Sequence, residues 1–190
     1  MQSQERIKVW DPLVRVFHWS LVTAFTIAYL TGDEVMSVHV VAGYTIAGLL
    51  AVRLVWGLIG TRYARFSNFV YSPATVKAYL RDVVALRARR YLGHNPAGGA
   101  MVVALLLMLL GTVVSGLFAY GVEEQAGPLA SVVAGIDGDW LEELHEFFAN
   151  ATLALVLLHI LGVITASWQH GENLVAAMWN GYKQRNGGEQ

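Results

Sequence analysis

Between Trp140 and Trp168 the chain reads WLEELHEFFANATLALVLLHILGVITASW, a long apolar run that carries two histidines, His145 and His159, fourteen residues apart. On an α-helix that spacing corresponds to roughly 21 Å of rise and about 1400° of turn, so both rings project within ~40° of one face. Two imidazoles on one face, a membrane thickness apart, are what two separate metal centres need. The rest of the chain must supply each with a partner.

The surroundings are those of an integral membrane protein. Of 190 residues, 55% are hydrophobic and only 14% charged, whereas a soluble domain carries about 25% charged residues. The apolar residues gather into blocks near the ~20 residues that cross a bilayer. Four spans are expected, at about 13–31, 38–60, 96–121 and 140–168, all in one domain covering residues 1–190. The first span is read as retained, because no small-residue cleavage pattern follows it at Leu30-Thr31-Gly32-Asp33. Cysteine is absent, which excludes disulfides, iron–sulfur clusters and C-x-x-C-H haem attachment. Any metal must then sit on histidine, carboxylate or methionine. No nucleic-acid partner is expected.

Residues 61–95 differ in character. They hold Arg62, Arg65, Lys77, Arg81, Arg87, Arg89 and Arg90, and between Pro73 and Leu92 the apolar Val76, Tyr79, Leu80, Val83 and Val84 recur at helical spacing. That pattern predicts an amphipathic helix over 73–92 on the membrane surface, with a second short one over 171–184. The fold class expected is all-α: an integral membrane four-helix bundle with interfacial helices on the cytoplasmic side.

Charge sets the orientation. The loops at 31–38 and 121–139 contain no Lys or Arg, while the N-terminal segment, the 61–95 loop and the tail hold nearly all of them. The positive-inside rule therefore puts both termini in the cytoplasm, with the two acidic loops outside. Depth follows: His18 lies on the cytoplasmic side of span 1, His39 at the outer start of span 2, His145 outside and His159 deeper. Two level pairs result, His39 with His145 and His18 with His159, each drawn from two helices. A histidine facing hydrocarbon is expensive, so such residues face protein or a cofactor. Taken one at a time, any of the four could be an interhelical hydrogen bonder or sit in the headgroups. As two level pairs they point to bis-histidine b-type haem, because six-coordinate iron takes two neutral imidazoles and needs no cysteine. Zinc would want more protein ligands per site.

Arg53 lies fourteen residues after His39 and so shares its face near the inner pair. A haem propionate is a suitable bidentate partner for it; snorkelling to the cytoplasmic interface is the competing reading. Gly43, one turn after His39, and Gly48 would let a flat macrocycle or another helix approach the backbone. For Gly111, Gly116 and Gly162 helix packing is the expected role. His94 and His170 fall outside the spans and are expected to be solvated or interfacial, with a proton-donating role at a quinone site as the minor alternative.

Several stretches together resemble the bacterial cytochrome b561 family, which includes the b-type cytochrome subunits of nickel–iron hydrogenases. They are VRVFHW in span 1, HVVAGY and RLVWGLIG in span 2, YLGHNPAGG before span 3, LHEFFAN and LLHILG in span 4, and ENLVAAMWNGYK after it. The resemblance covers nearly the whole chain. It implies a four-helix bundle with two b haems on residues matching His18, His39, His145 and His159, passing electrons between periplasmic donors and the quinone pool.

The outer face discriminates among donors. Asp33, Glu34, Glu123, Glu124, Asp137, Asp139, Glu142, Glu143 and Glu146 crowd it without a balancing cation. Such a field attracts a basic partner and repels superoxide. The expectation is thus an electron carrier of the respiratory chain served by a basic periplasmic c-type cytochrome, with superoxide:quinone oxidoreduction and membership of a hydrogenase or other dehydrogenase complex as alternatives. A haem-free scaffold or transporter is the reading from another class. The quinone site is expected on the cytoplasmic side near the His18–His159 pair, where His94, Arg53 and the amphipathic helix could meet a headgroup.

Overall fold

A computed structural model describes residues 6–32, 34–136 and 138–184. Asp33, Asp137 and Arg185, which the charge argument used, lie outside the described residues. The fold class is all-α, as expected. Four helices are long and apolar enough to cross a membrane: α1 (Pro12–Thr31), α2 (Met36–Ile59), α4 (Pro96–Glu123) and α5 (Asp139–His170), with two shorter ones, α3 (Pro73–Val84) and α6 (Leu174–Asn180). The expected spans fall within two residues of these helices at each end. Many of their large apolar side chains are exposed, Leu58, Ile59, Leu161 and Ile164 among them, which is what a hydrocarbon solvent requires.

Helix starts explain themselves chemically. Three of the four prolines stand at the first position of a helix, each directly after a capping residue. Asp11 Oδ1 accepts the Val14 N–H at 2.9 Å before Pro12, Ser72 Oγ accepts the Thr75 N–H at 3.2 Å before Pro73, and Asn95 Oδ1 accepts the Gly98 N–H at 2.7 Å before Pro96. Proline has no N–H to lose there, and the cap satisfies one orphan donor.

Two expected elements are corrected. The helix predicted over 73–92 stops at Val84, because Leu86 turns into the left-handed region (φ 55°). The Leu86 N–H then donates to Val83 C=O at 3.0 Å and the Arg87 N–H to Asp82 C=O at 2.9 Å, the paired bonds of a Schellman ending. That position usually carries glycine; here leucine hides the signal. The tail helix predicted over 171–184 covers only Leu174–Asn180. Gly181 ends it at φ 90°, and the chain continues as strand β2 (Tyr182–Gln184), antiparallel to β1 (Arg6–Lys8) with Ile7 opposite Lys183.

The chain divides into two compact units. Unit 2 comprises Ser20–Ala51 and Ala104–Leu157; its core is Ala24 and Ala28 of α1, Ala42, Ile46 and Leu50 of α2, and Leu109 of α4. The alanines let helix backbones approach closely. Unit 1 comprises Met1–Trp19, Val52–Val103 and Leu158–Gln190, with a core of Val9, Trp10, Val14, Ala64 and Ala177. All thirteen Lys and Arg residues belong to unit 1, and unit 2 contains none.

In unit 1 the ribbon is locked by buried charge. Lys183 Nζ lies 2.9 Å from Glu172 Oε1 and donates to Tyr91 C=O at 2.9 Å, while Arg90 Nη2 lies 2.9 Å from Glu172 Oε2. Asp11 does more than cap α1: its Oδ2 accepts from Thr61 Oγ1 at 2.5 Å and from Trp56 Nε1 at 3.1 Å. Burial alone would raise its pKa, but the hydrogen bonds from Thr61, Val14, Trp56 and Leu13 outweigh that and hold it below the usual 3.8. A carboxylate with a depressed folded-state pKa contributes stability above its unfolded value and loses it as pH falls through the folded one. Asp11→Asn is therefore expected to destabilise the protein at neutral pH by about 1–3 kcal/mol. The deficit should shrink below about pH 4, read from thermal melts of the purified protein across pH.

Candidate functional site

Each expected histidine pair is brought together inside one unit. In unit 2, the His39 ring of α2 and the His145 ring of α5 face each other with centroids 5.9 Å apart and planes at 86°. In unit 1, His18 of α1 and His159 of α5 are 6.4 Å apart at 54°. Two imidazole nitrogens each about 2 Å from one metal atom, with about 1.1 Å from nitrogen to ring centre, would set centroids about 6 Å apart. Both pairs match that spacing. Among the described residues no group of three or more His, Cys, Asp or Glu could hold a metal ion. Two facing imidazoles would therefore suit a metal that brings its remaining ligands with it.

Unit 2 prepares its pair for that role. His39 Nδ1 lies 2.9 Å from the Ala28 carbonyl oxygen, and His145 Nδ1 lies 2.9 Å from that of Thr112. A carbonyl only accepts, so both Nδ1 atoms carry the proton and each Nε2 keeps its lone pair for a metal. Space is kept open as well. An added Cβ at Gly43 or Gly48 would meet nothing within 4 Å, so α2 is bare beside and beyond His39.

The residues that aim His145 escaped the sequence reading. At Gly116 of α4 a Cβ would fall 2.8 Å from His145 Cε1, and at Gly111 one would fall 2.6 Å from Phe148. Helix packing was the right general role for both, but Gly116 specifically admits the imidazole to the α4 backbone, where Thr112 C=O receives it. Ser115 Oγ lies 3.4 Å from the same Nδ1. The signal in the sequence was the small-residue run Gly111-Thr112-Ser115-Gly116 along one helix.

Unit 1 is built differently. His18 Nδ1 is enclosed and has no hydrogen-bond partner, and neither does Nη1 of Arg53. Arg53 is 3% exposed, so it does not snorkel; its Cζ lies 4.9 Å from the centre of the Phe66 ring. His94, expected to be solvated or interfacial, is packed against aromatic rings. Its ring packs 4.5 Å from Phe69 and 4.7 Å from Trp10, and its Nδ1 is fully enclosed. Burial, then the charges of Arg53, His159 and Lys183, push its pKa down to about 3. His94 is thus neutral at physiological pH and unsuited to act as a cationic acid. His170 is the last residue of α5.

Residues 9–181 match the family described as prokaryotic cytochrome b561. The chain belongs to the prokaryotic cytochrome b561 family. As a b561 cytochrome it is a membrane b-type cytochrome of electron transfer, and the metal its family implies is the iron of haem b. It is similar to the probable Ni/Fe-hydrogenase B-type cytochrome subunit of Rhodobacter capsulatus, 25% identical over 96% of this chain and 83% of that one. The probable Ni/Fe-hydrogenase 1 B-type cytochrome subunit of Escherichia coli K12 is 22% identical over 95% of this chain and 92% of that one, and the probable Ni/Fe-hydrogenase B-type cytochrome subunit of Rhizobium leguminosarum bv. viciae 23% over 94% and 89%. No solved structure matches the chain. The residues of this b561 cytochrome fit haem in three respects: facing imidazoles at the spacing of a shared metal, open backbone at Gly43, and a buried guanidinium lacking an anion.

Proposed function

We propose that this protein is a di-haem b cytochrome of the bacterial inner membrane that carries electrons between a periplasmic redox partner and the quinone pool. His39 and His145 hold one haem, and His18 and His159 hold the other. Gly43 leaves room for the edge of the macrocycle held by His39 and His145, and Arg53 faces the acidic side of the one held by His18 and His159. The carrying observation is the pair of facing imidazoles in each unit, at 5.9 and 6.4 Å. Bound haem supplies reversible one-electron exchange at its iron. The chain's part would be to hold both histidine ligands, exclude water with an apolar shell and place one histidine of each pair on the unbroken helix α5. Both termini are assigned to the cytoplasm from the Lys/Arg distribution.

The donor is assigned from charge. Glu34, Glu123, Glu124, Asp139, Glu142, Glu143 and Glu146 are exposed in a unit without a single Lys or Arg. A basic c-type cytochrome fits that field, and superoxide, an anion, does not. Reduction by such a cytochrome, followed by stopped flow, is expected to slow by ~10-fold or more as salt rises from low to physiological strength. A rate indifferent to salt would remove the steering argument. A second reading rests on the relatives, which are probable hydrogenase cytochrome subunits: this chain would then pass electrons from a hydrogenase or other dehydrogenase bound at the same acidic face. Co-purification of such a subunit from native membranes distinguishes it. A Soret band and a reduced α-band in the purified protein exclude the haem-free scaffold or transporter.

A further inference from the structure

Among the enclosed side-chain nitrogen atoms of unit 1 that no group of the described residues satisfies are Nη1 of Arg53 on α2 and Nδ1 of His94 in the loop before α4. One aromatic ring contacts both side chains. Phe69, 2% exposed, lies 5.9 Å from Arg53 Cζ and 4.5 Å from the His94 ring.

The sequence fixes this arrangement tightly. Gly57, one turn beyond Arg53, has no side chain, and a Cβ there would fall 2.0 Å from the Phe66 ring that covers the guanidinium. Gly99 does the same for Phe69, whose carbonyl oxygen would be 2.1 Å from an added Cβ. Asn95 caps α4 and Pro96 begins it, holding His94 at the mouth of that helix. The motif YLGHNPAGG is thereby accounted for as the mount of His94.

Arg53 needs an anion, and none of the described residues brings it one. A guanidinium is donor-only and stays charged, and leaving such a charge buried without a partner is strongly unfavourable. The carboxylate whose charge reaches it is Asp11, but the Asp11 oxygens are occupied by Val14, Trp56 and Thr61. His94, kept neutral by burial and by the cations around it, offers a hydrogen bond without adding charge. His159 is close enough to act on it electrostatically.

We propose that Arg53 and His94 form a two-donor site for an anionic oxygen beside the His18–His159 pair, and that its occupant is a propionate of the haem this pair holds. The proposal rests on the di-haem reading and adds His94 as a positioning residue. A reduced quinone oxygen shares the same chemistry, so the test separates the two sources. In the haem-loaded full chain, Arg53→Met, His94→Phe and His94→Gln are compared by haem-to-protein ratio, potentiometric titration and binding of decylubiquinone. Arg53→Met and His94→Phe are each expected to shift the reduction equilibrium of one haem about tenfold toward the oxidised form, 59 mV for a one-electron couple. The other haem serves as the internal check on folding. His94→Gln, which keeps an N–H, restores most of the shift, and decylubiquinone binding is unchanged. A shift from His94→Phe is the decisive sign, since that change removes no charge. Tenfold weaker decylubiquinone binding with unmoved potentials would uphold the anion site and make the quinone its occupant. Two haems retained, with neither potentials nor quinone binding altered in any variant, would overturn the proposal. Fewer than two haems in the wild type would instead overturn the di-haem reading.

Discussion

Replacing His39 with alanine is expected to cut the haem content of the purified protein from two per chain to one, and replacing His18 is expected to do the same at the other site. A bis-imidazole site depends on both rings, since the weaker five-coordinate arrangement left by a single ligand loses much of its hold on the iron. The two sites should fail independently. His39 and His145 sit in unit 2, whose core is Ala24, Ala28, Ala42, Ile46, Leu50 and Leu109, whereas His18 and His159 sit in unit 1 with Val9, Trp10, Val14, Ala64 and Ala177. A pyridine haemochrome assay against protein concentration measures the ratio. Retention of both haems in His39→Ala, or loss of both with the fold intact by circular dichroism, would mean that the pairing is wrong.

The same two variants should also separate the potentials. Both unit 2 histidines donate Nδ1–H to backbone carbonyls, which makes the imidazole a stronger electron donor and favours oxidised iron. The exposed glutamates of that unit act in the same direction. In unit 1, His18 Nδ1 has no such partner, and all the basic residues lie in its unit. The haem on His39 and His145 is therefore expected to have the lower midpoint, by roughly 60–120 mV, a ten- to hundredfold difference for one electron. Potentiometric titration should show two waves, with the lower one missing in His39→Ala and the upper one in His18→Ala. The reverse assignment would sink the argument. An electron entering at the acidic unit would then run downhill toward the basic one.

Long-period features were legible in the sequence, and short-range ones were not. Four spans and two histidine pairs could be read because hydrophobic blocks and the fourteen-residue spacing of His145 and His159 act over whole helices. The end of α3 could not: a Schellman turn on Leu86 lacks the glycine that advertises it. Strand β2 was masked because Lys183 and Tyr182 resemble the polar end of a helix, and its partner lies some 175 residues away in the chain. His94 lies between spans, where a solvated or interfacial place is expected, and nothing local announces that Trp10 and Phe69 pack against it. Gly116 looked like any packing glycine until the ring of His145 was seen against it.

The pairing of Arg6–Lys8 with Tyr182–Gln184 bears on how the molecule is made. Every residue of unit 2 precedes β2 in the chain, whereas both strands of the ribbon belong to unit 1. Unit 1 has to wait for the final strand, and with it for Lys183 to reach Glu172 and Tyr91. Closure of unit 1 is accordingly a long-range event, since some 175 residues are made between the two strands before the ribbon can form.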